Sequence, residues 1–221
     1  MDVVVPIVFP DYLIHVETPE VSFEVPDLLP GVDILPDRVR IPKQSAKVPE
    51  LGHAGVLFIN GKTGVTKYYE YGRYDPKALG IVRRVSIPDV TMKNGKPTRD
   101  SLKKVVARIS VSSGQNGAVS AAYIELPDDS FKKMVDHAER RLRDNGNPNR
   151  TPYALLSNSC LHFMKEVAEA GGASMPPGVV PIPKDYMRLV RMVHPKLDYA
   201  RGIMTVPLPD GGVMQKAAGA R

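Results

Sequence analysis

Two runs rich in β-branched and aromatic residues flank Asn60-Gly61 in "HAGVLFINGKTGVTKYYEYGRYD". An Asn-Gly pair between such runs is a strong short-range hairpin signal. The pattern predicts strands near 53–60 and 64–74, and further strands over 81–88, 104–112 and 118–126. The stretch 127–146 reads differently. It opens on acidic residues, carries apolar side chains at 131, 134, 135, 138 and 142, and stops at Gly146, which predicts an amphipathic helix. A second helix is predicted within "LLSNSCLHFMKEVAEAGG". Ser157, Asn158 or Ser159 can cap its start, and Gly171-Gly172 end it. "DYMRLVRMV" suits a short helix or a strand, and the C-terminal ten residues are expected to fray.

Residues 1–50 contain eight prolines, spaced too closely for a helix of ordinary length. Short apolar pieces such as "VVVPIVF" and "VSFEV" lie between them. This predicts an extended arm with short strands lying across the body. The division is then an arm over 1–50, a catalytic body over 51–190 and a C-terminal extension over 191–221. The fold class is α+β, a central antiparallel sheet with the helix that begins near Cys160 packed on one face.

Charge and composition narrow the partners. The net charge is +6, with the acids concentrated in the arm and the bases in the body. Such a body suits an anionic polymer or surface, or simply solubility. No apolar run is long enough to cross a membrane, and the start of the chain lacks the basic and apolar regions of a Sec signal peptide. Cys160 is the single cysteine, so no internal disulfide and no multi-thiolate zinc site can form. The five histidines, at 15, 53, 137, 162 and 194, show no metal-ligand spacing. No metal or other cofactor is expected.

Cys160 is the first candidate for chemistry. A free cysteine commonly fills space in a core. At the start of a helix, however, unpaired N–H groups and the helix dipole favour the thiolate, and the same N–H groups can hold an oxyanion. A thiolate nucleophile needs a base. His162 is only two residues away and points elsewhere on a helix. His53 opens a strand between Gly52 and Gly55, which leave room for another element to approach. A third group should orient the imidazole, and Glu70 is the candidate. If residue 60 pairs with 63, His53 faces Glu70. If Asn60-Gly61 is the turn itself, His53 faces Tyr68 and Glu70 is its diagonal neighbour. Both registers keep Glu70 on the face of His53; an odd loop brings Tyr69 or Tyr71 round instead. Tyr68, Tyr69, Tyr71 and Tyr74 form an aromatic cluster that reads as a core edge or as a wall of the substrate groove, and one of them could donate to an oxyanion.

A histidine on a strand, a polar residue on the next strand and a cysteine opening a late helix resembles the permuted NlpC-type branch of papain-like hydrolases. "GHAGVLFI" matches the histidine strand. "LLSNSCLHF" matches the helix start, with Ser159 inserted between Asn158 and Cys160 where many members have Asn directly before Cys. "VPELGHAGVLFINGKTGVTKYYEYGRYD" and the opening "VVVPIVFPDYLIHVETP" are similar to bacterial type VI secretion effectors of this group. The resemblance implies a papain-like fold and an antibacterial toxin that leaves its cell without a Sec signal. It implies hydrolysis of peptidoglycan peptides in the periplasm of a rival cell through Cys160, His53 and Glu70, with Tyr68, Tyr69, Tyr71 and Asn158 at the substrate. It further implies a cognate immunity protein and a secretion carrier, with no nucleic-acid partner and no stable membrane insertion. Two other readings stay open: a thiol-dependent lipid acyltransferase or phospholipase, and a non-enzymatic adaptor of a secretion apparatus.

Overall fold

The computed structural model describes residues 1–16, 21–24, 38–41, 46–48, 52–74, 79–178 and 181–206, with backbone alone for the short strands between 14 and 48. The centre of the fold is a sheet whose paired neighbours are all antiparallel. Its first strand is β1 (Asp2–Phe9), followed after four short strands by β6 (His53–Ile59), β7 (Thr66–Gly72) and β8 (Ile81–Val85). The short strands are β2 (Ile14–Val16), β3 (Val21–Glu24), β4 (Arg38–Ile41) and β5 (Ala46–Val48), which pair β2 with β5 and β3 with β4. A small hairpin, β9 (Met92–Lys93) and β10 (Lys96–Pro97), precedes helix α1 (Arg99–Ser113). Strands β11 (Val119–Ala122) and β12 (Ile124–Leu126) come next, then helices α2 (Ser130–Arg143), α3 (Cys160–Ala170) and α4 (Pro183–Val193). Strands β13 (Lys196–Ala200) and β14 (Ile203–Thr205) complete a sheet of order β14-β13-β11-β1-β6-β7-β8, with β12 also on β1. Among the described residues the result is a mixed α/β fold with a mainly antiparallel sheet and four α-helices.

The run "DVVVPIVF" is apolar at nearly every position, as a strand covered on both faces requires. β1 accordingly lies in the middle of the sheet, with β6 on one side and β11 and β12 on the other. Pro6, which cannot donate to a ladder, falls where one neighbour gives way to another. β12 pairs with Asp2–Val4, and β11 pairs with Ile7 and Val8. Most of the remaining arm, and the C-terminal residues expected to fray, lie outside the described residues.

Two apolar layers sandwich the sheet. On one face Val3, Val5, Ile7, Leu57 and Tyr68 meet α1 through Leu102, Val105, Val106 and Ile109. On the other, Val4, Val8, Val56, Phe58 and Tyr69 meet α2, α3 and α4. The segment 104–112, expected as a strand from its β-branched residues, is part of α1. Its buried positions 102, 105, 106, 109, 110 and 113 recur at helical spacing, and burial of that stripe outweighs β-propensity. "DYMRLVRMV" is helical for a similar reason, with Pro183 preset at the helix start.

The β6–β7 hairpin corrects both registers considered above. Ile59 pairs with Thr66 and Gly55 with Glu70, so residues 60–65 form a six-residue loop. Asn60 organises it. Its side-chain oxygen accepts from Lys62 N at 3.0 Å and Thr63 N at 2.9 Å, and its carbonyl accepts from Gly64 N at 2.8 Å. β1 sets the loop from outside: a Cβ on Gly61 would stand 1.8 Å from the Met1 carbonyl oxygen, and Gly61 N donates to Asp2 Oδ1 at 2.9 Å. Because the loop has an even length, Glu70 still shares a face with His53.

Asp2 joins three elements. It is 3% exposed, and its second oxygen accepts from Phe131 N at 2.8 Å in the first turn of α2, where a negative charge suits the helix dipole. Asp2→Ala leaves both N–H groups without that acceptor. It is expected to cost about 3 kcal/mol, from ~1–3 kcal/mol per unsatisfied buried donor. Denaturant unfolding checks this; a loss below about 1 kcal/mol would show that water replaces the carboxylate.

Candidate active site

Cys160 is the first residue of α3 and 5% exposed. Of the three capping candidates, Ser159 takes the role. It forms a capping box with His162: Ser159 N donates to His162 Nδ1 at 3.3 Å, and the Ser159 hydroxyl lies 2.9 Å from the same nitrogen. His162 therefore shapes the helix start that carries the thiol. α3 packs over β6 and β7, which brings Cys160 to the end of the sheet where β6 begins. There the Ala54 amide hydrogen-bonds to the sulfur, and the Tyr153 hydroxyl donates to it at 3.7 Å.

His53 opens β6 opposite Phe9 and is 6% exposed. Its ring stacks 6.0 Å from Phe9, lies 5.1 Å from Tyr12, and meets the edge of Tyr74 at 6.3 Å. Nε2 lies 3.3 Å from Glu70 Oε2 and 3.1 Å from the Tyr74 hydroxyl. With Nε2 so occupied, the hydrogen bond between imidazole and Cys160 falls to Nδ1. Glu70, 1% exposed, also accepts from the Tyr68 hydroxyl at 3.4 Å and the Tyr74 hydroxyl at 3.2 Å. Arg83 Nη1 stands 3.7 Å away. Gly55 permits this arrangement, because a Cβ there would sit 2.1 Å from the Tyr68 hydroxyl. The room left by that glycine is filled by Tyr68 beneath the carboxylate.

The charges follow from these contacts. Burial alone lowers the His53 pKa, but hydrogen bonds and charge from Cys160 and Glu70 outweigh it and raise the value to about 9. Burial raises the Cys160 pKa; the hydrogen bond and charge of His53 reverse that, so it falls below the ordinary thiol value. Burial also works against the Glu70 carboxylate, yet His53 first, and after it Ser113 and Arg83, hold its pKa below the usual range. The three shifts act together to favour a thiolate, an imidazolium and a carboxylate over their neutral forms. A thiolate at a helix start beside a proton donor can attack an acyl carbon and stabilise the oxyanion that results.

The tyrosines and Asn158 divide. Tyr68 lies in the core below Glu70. Tyr69 points to the opposite face, stacks 5.6 Å from Phe58 and donates to Glu139 of α2. Tyr71 is buried and accepts from Asn158 Nδ2 at 2.9 Å. Asn158 Nδ2 also reaches the carbonyls of Thr151 and Pro152, and its oxygen accepts from Arg141 at 3.0 Å. This network ties the loop before α3 to β7 and α2. Sequence reasoning did not single out Tyr12, Tyr153 or the contact of Tyr74 with His53. Tyr153 is seven residues before Cys160, and the reciprocal bonds of Ala154 and Asn158 fold the loop back onto the sulfur. The Pro152 break just ahead of it is the local signal that could have marked such a turn.

Among the described residues, no group of three or more His, Cys, Asp or Glu side chains could hold a metal ion, and no helix is long and apolar enough to cross a membrane. The family model for TseH-like type VI secretion system effectors matches residues 4–174. Among solved structures, the crystal structure of the type VI secretion system effector TseH is similar, with a TM-score of 0.68 and 34% sequence identity. The match covers 93% of this chain and 97% of that one. No curated protein matches the chain. The family match spans most of the sequence and the structural match nearly all of it, and the chain belongs to the TseH-like type VI secretion system effectors.

Proposed function

We propose that this effector is a papain-like cysteine hydrolase of the permuted NlpC type, which cleaves amide bonds of peptidoglycan peptides in the periplasm of a target cell. The observation that carries the reading is the buried Cys160–His53–Glu70 chain, with the thiol at the first residue of α3. The Cys160 thiolate attacks the carbonyl carbon, a C–S bond forms, and the carbonyl electron pair moves to oxygen. N–H groups of the first turn of α3 hold that oxyanion. The His53 imidazolium gives its Nδ1 proton to the amine nitrogen as the C–N bond breaks. Water then loses a proton to neutral His53 and attacks the thioester, and the thiolate leaves with its bonding pair. Glu70 orients the ring and stabilises its charged form throughout. An immunity protein that blocks this site and a carrier that delivers the chain complete the proposal.

The test is to direct the protein to the periplasm of a Gram-negative host and analyse the muropeptides. New peptide fragments that carry a free carboxyl and a free amine at one bond are expected, and they identify that bond. Lysis with an intact wall and released fatty acid would move the reaction to lipid acyl chemistry.

A further inference from the structure

We propose that Tyr74 is a positioning residue of this site: its hydroxyl, shared between Glu70 and His53, selects the imidazole tautomer that leaves Nδ1 free for Cys160. The inference rests on the reading of Cys160 and His53 as nucleophile and base.

The argument is a count of protons. Tyr74 Oη is 3.2 Å from Glu70 Oε1 and 3.1 Å from His53 Nε2, and it has one proton to give. The Glu70 carboxylate can only accept. It is almost fully buried, so each donor it loses is costly. With the phenolic proton on Oε1, Tyr74 presents a lone pair to Nε2. Glu70 Oε2 presents another at 3.3 Å. Two acceptors face Nε2, so Nε2 carries hydrogen and Nδ1 can take the thiol proton. Were Tyr74 to donate to Nε2, Glu70 would lose that donor. The ring proton would then stand at Nδ1, and no base would face the sulfur.

The surroundings support the first arrangement. Burial, then the charge of Glu70, pushes the Tyr74 pKa far above its ordinary value, so the phenol keeps its proton. Arg83 lies 4.6 Å over the Tyr74 ring and 3.7 Å from Glu70, so a single cation holds the ring and shares the carboxylate charge. The titratable groups facing His53 are Glu70 and Tyr74 from the β7 side, Tyr12 from the turn after β1, and Cys160 from α3. Tyr153 and Arg83 stand in the next layer. Among the groups that contact Nε2, Tyr74 is the one that also bonds Glu70 through a proton of its own.

The test follows alkylation of Cys160 by iodoacetate against pH. The reaction needs no substrate, and its rate falls when the imidazolium that attracts the anion loses its proton. In the wild type that fall is expected near pH 9. Tyr74→Phe removes an acceptor from the imidazolium and is expected to move the fall to lower pH. It should also cut turnover on peptidoglycan about tenfold with KM unchanged, less than the ~10²–10⁴-fold of a general acid–base group itself, as suits a residue that acts through another. If Tyr74 works through Glu70, the added loss disappears in a Glu70→Gln background. An unmoved alkylation profile, or an equal loss in both backgrounds, would overturn the proposal. If Tyr74→Phe unfolds, 3-fluorotyrosine at position 74 keeps ring and hydroxyl. Its more acidic phenol should also move the fall to lower pH, and an unchanged profile again overturns the inference. A wild-type Cys160 without any thiolate below the ordinary thiol range would instead sink the nucleophile reading itself.

Discussion

Under the proposed mechanism, Cys160→Ala is expected to abolish amide cleavage, with a loss of about 10⁴-fold or more in turnover and little change in fold. The chain has no second cysteine to take over. Water held near His53 lacks both the nucleophilicity of a thiolate and its position at the helix start. Cys160→Ser should retain almost nothing, because the hydroxyl is far less acidic than a thiol and the imidazole cannot hold it ionised. The same change tests the electrostatics. Removing the sulfur takes away the strongest of the contacts that raise the His53 pKa and leaves Glu70 alone to oppose burial, which lowers it. His53 in Cys160→Ala should therefore titrate below about 9, measurable by NMR of the ring protons. Muropeptide release by the alanine variant at the wild-type rate would exclude Cys160 as nucleophile.

His53→Ala should leave the thiol present but unreactive. Burial acts to raise the Cys160 pKa, and His53 is the first cause that lowers it. Without His53 the burial effect prevails, so the pKa moves above the ordinary thiol range. The sign follows directly: the wild type keeps its thiolate down to pH values below that range, and the variant forms it only above. At pH 7 an ordinary thiol is only a few per cent ionised. Alkylation at that pH should fall to no more than the rate of an ordinary thiol, and hydrolysis by more, since the proton donor for the leaving amine is lost too. Equal alkylation rates in the two proteins at pH 7 would mean that the helix start and Tyr153 suffice to ionise the sulfur.

Much of this site was legible before any coordinates, for local reasons. Cys160 lies between cap residues and a run of helix formers, so its place at a helix start follows from neighbouring residues. His53 and Glu70 share a face because strand periodicity is two and the connecting loop has an even length. The shared face holds in the actual register, with Gly55 opposite Glu70, just as it would in either two-residue turn. Ser159 and His162 form a capping box within four residues, yet the His at its third helical position reads equally well as a surface side chain.

Other features depended on residues far apart in the chain. The segment 104–112 became helix because α1 could bury a helical stripe on the sheet, against the preference of its β-branched residues. The six-residue loop of the hairpin depends on Asp2 and Met1, about 60 positions away, reaching Gly61. Tyr69 and Tyr71 looked equivalent to Tyr68 and Tyr74 in a cluster. The pleat and the exit of β7 then sent the first two toward the α2–α3 layer and the last two onto Glu70. By itself the sequence determined the hairpin strands, the helix of the nucleophile and the shared face of His53 and Glu70, since each is encoded in periodicity and caps over a few residues. Tertiary structure alone decided that Cys160 meets His53 across 107 positions and which tyrosine touches the imidazole. Those meetings depend on how helices pack on the sheet, and no local pattern records that geometry.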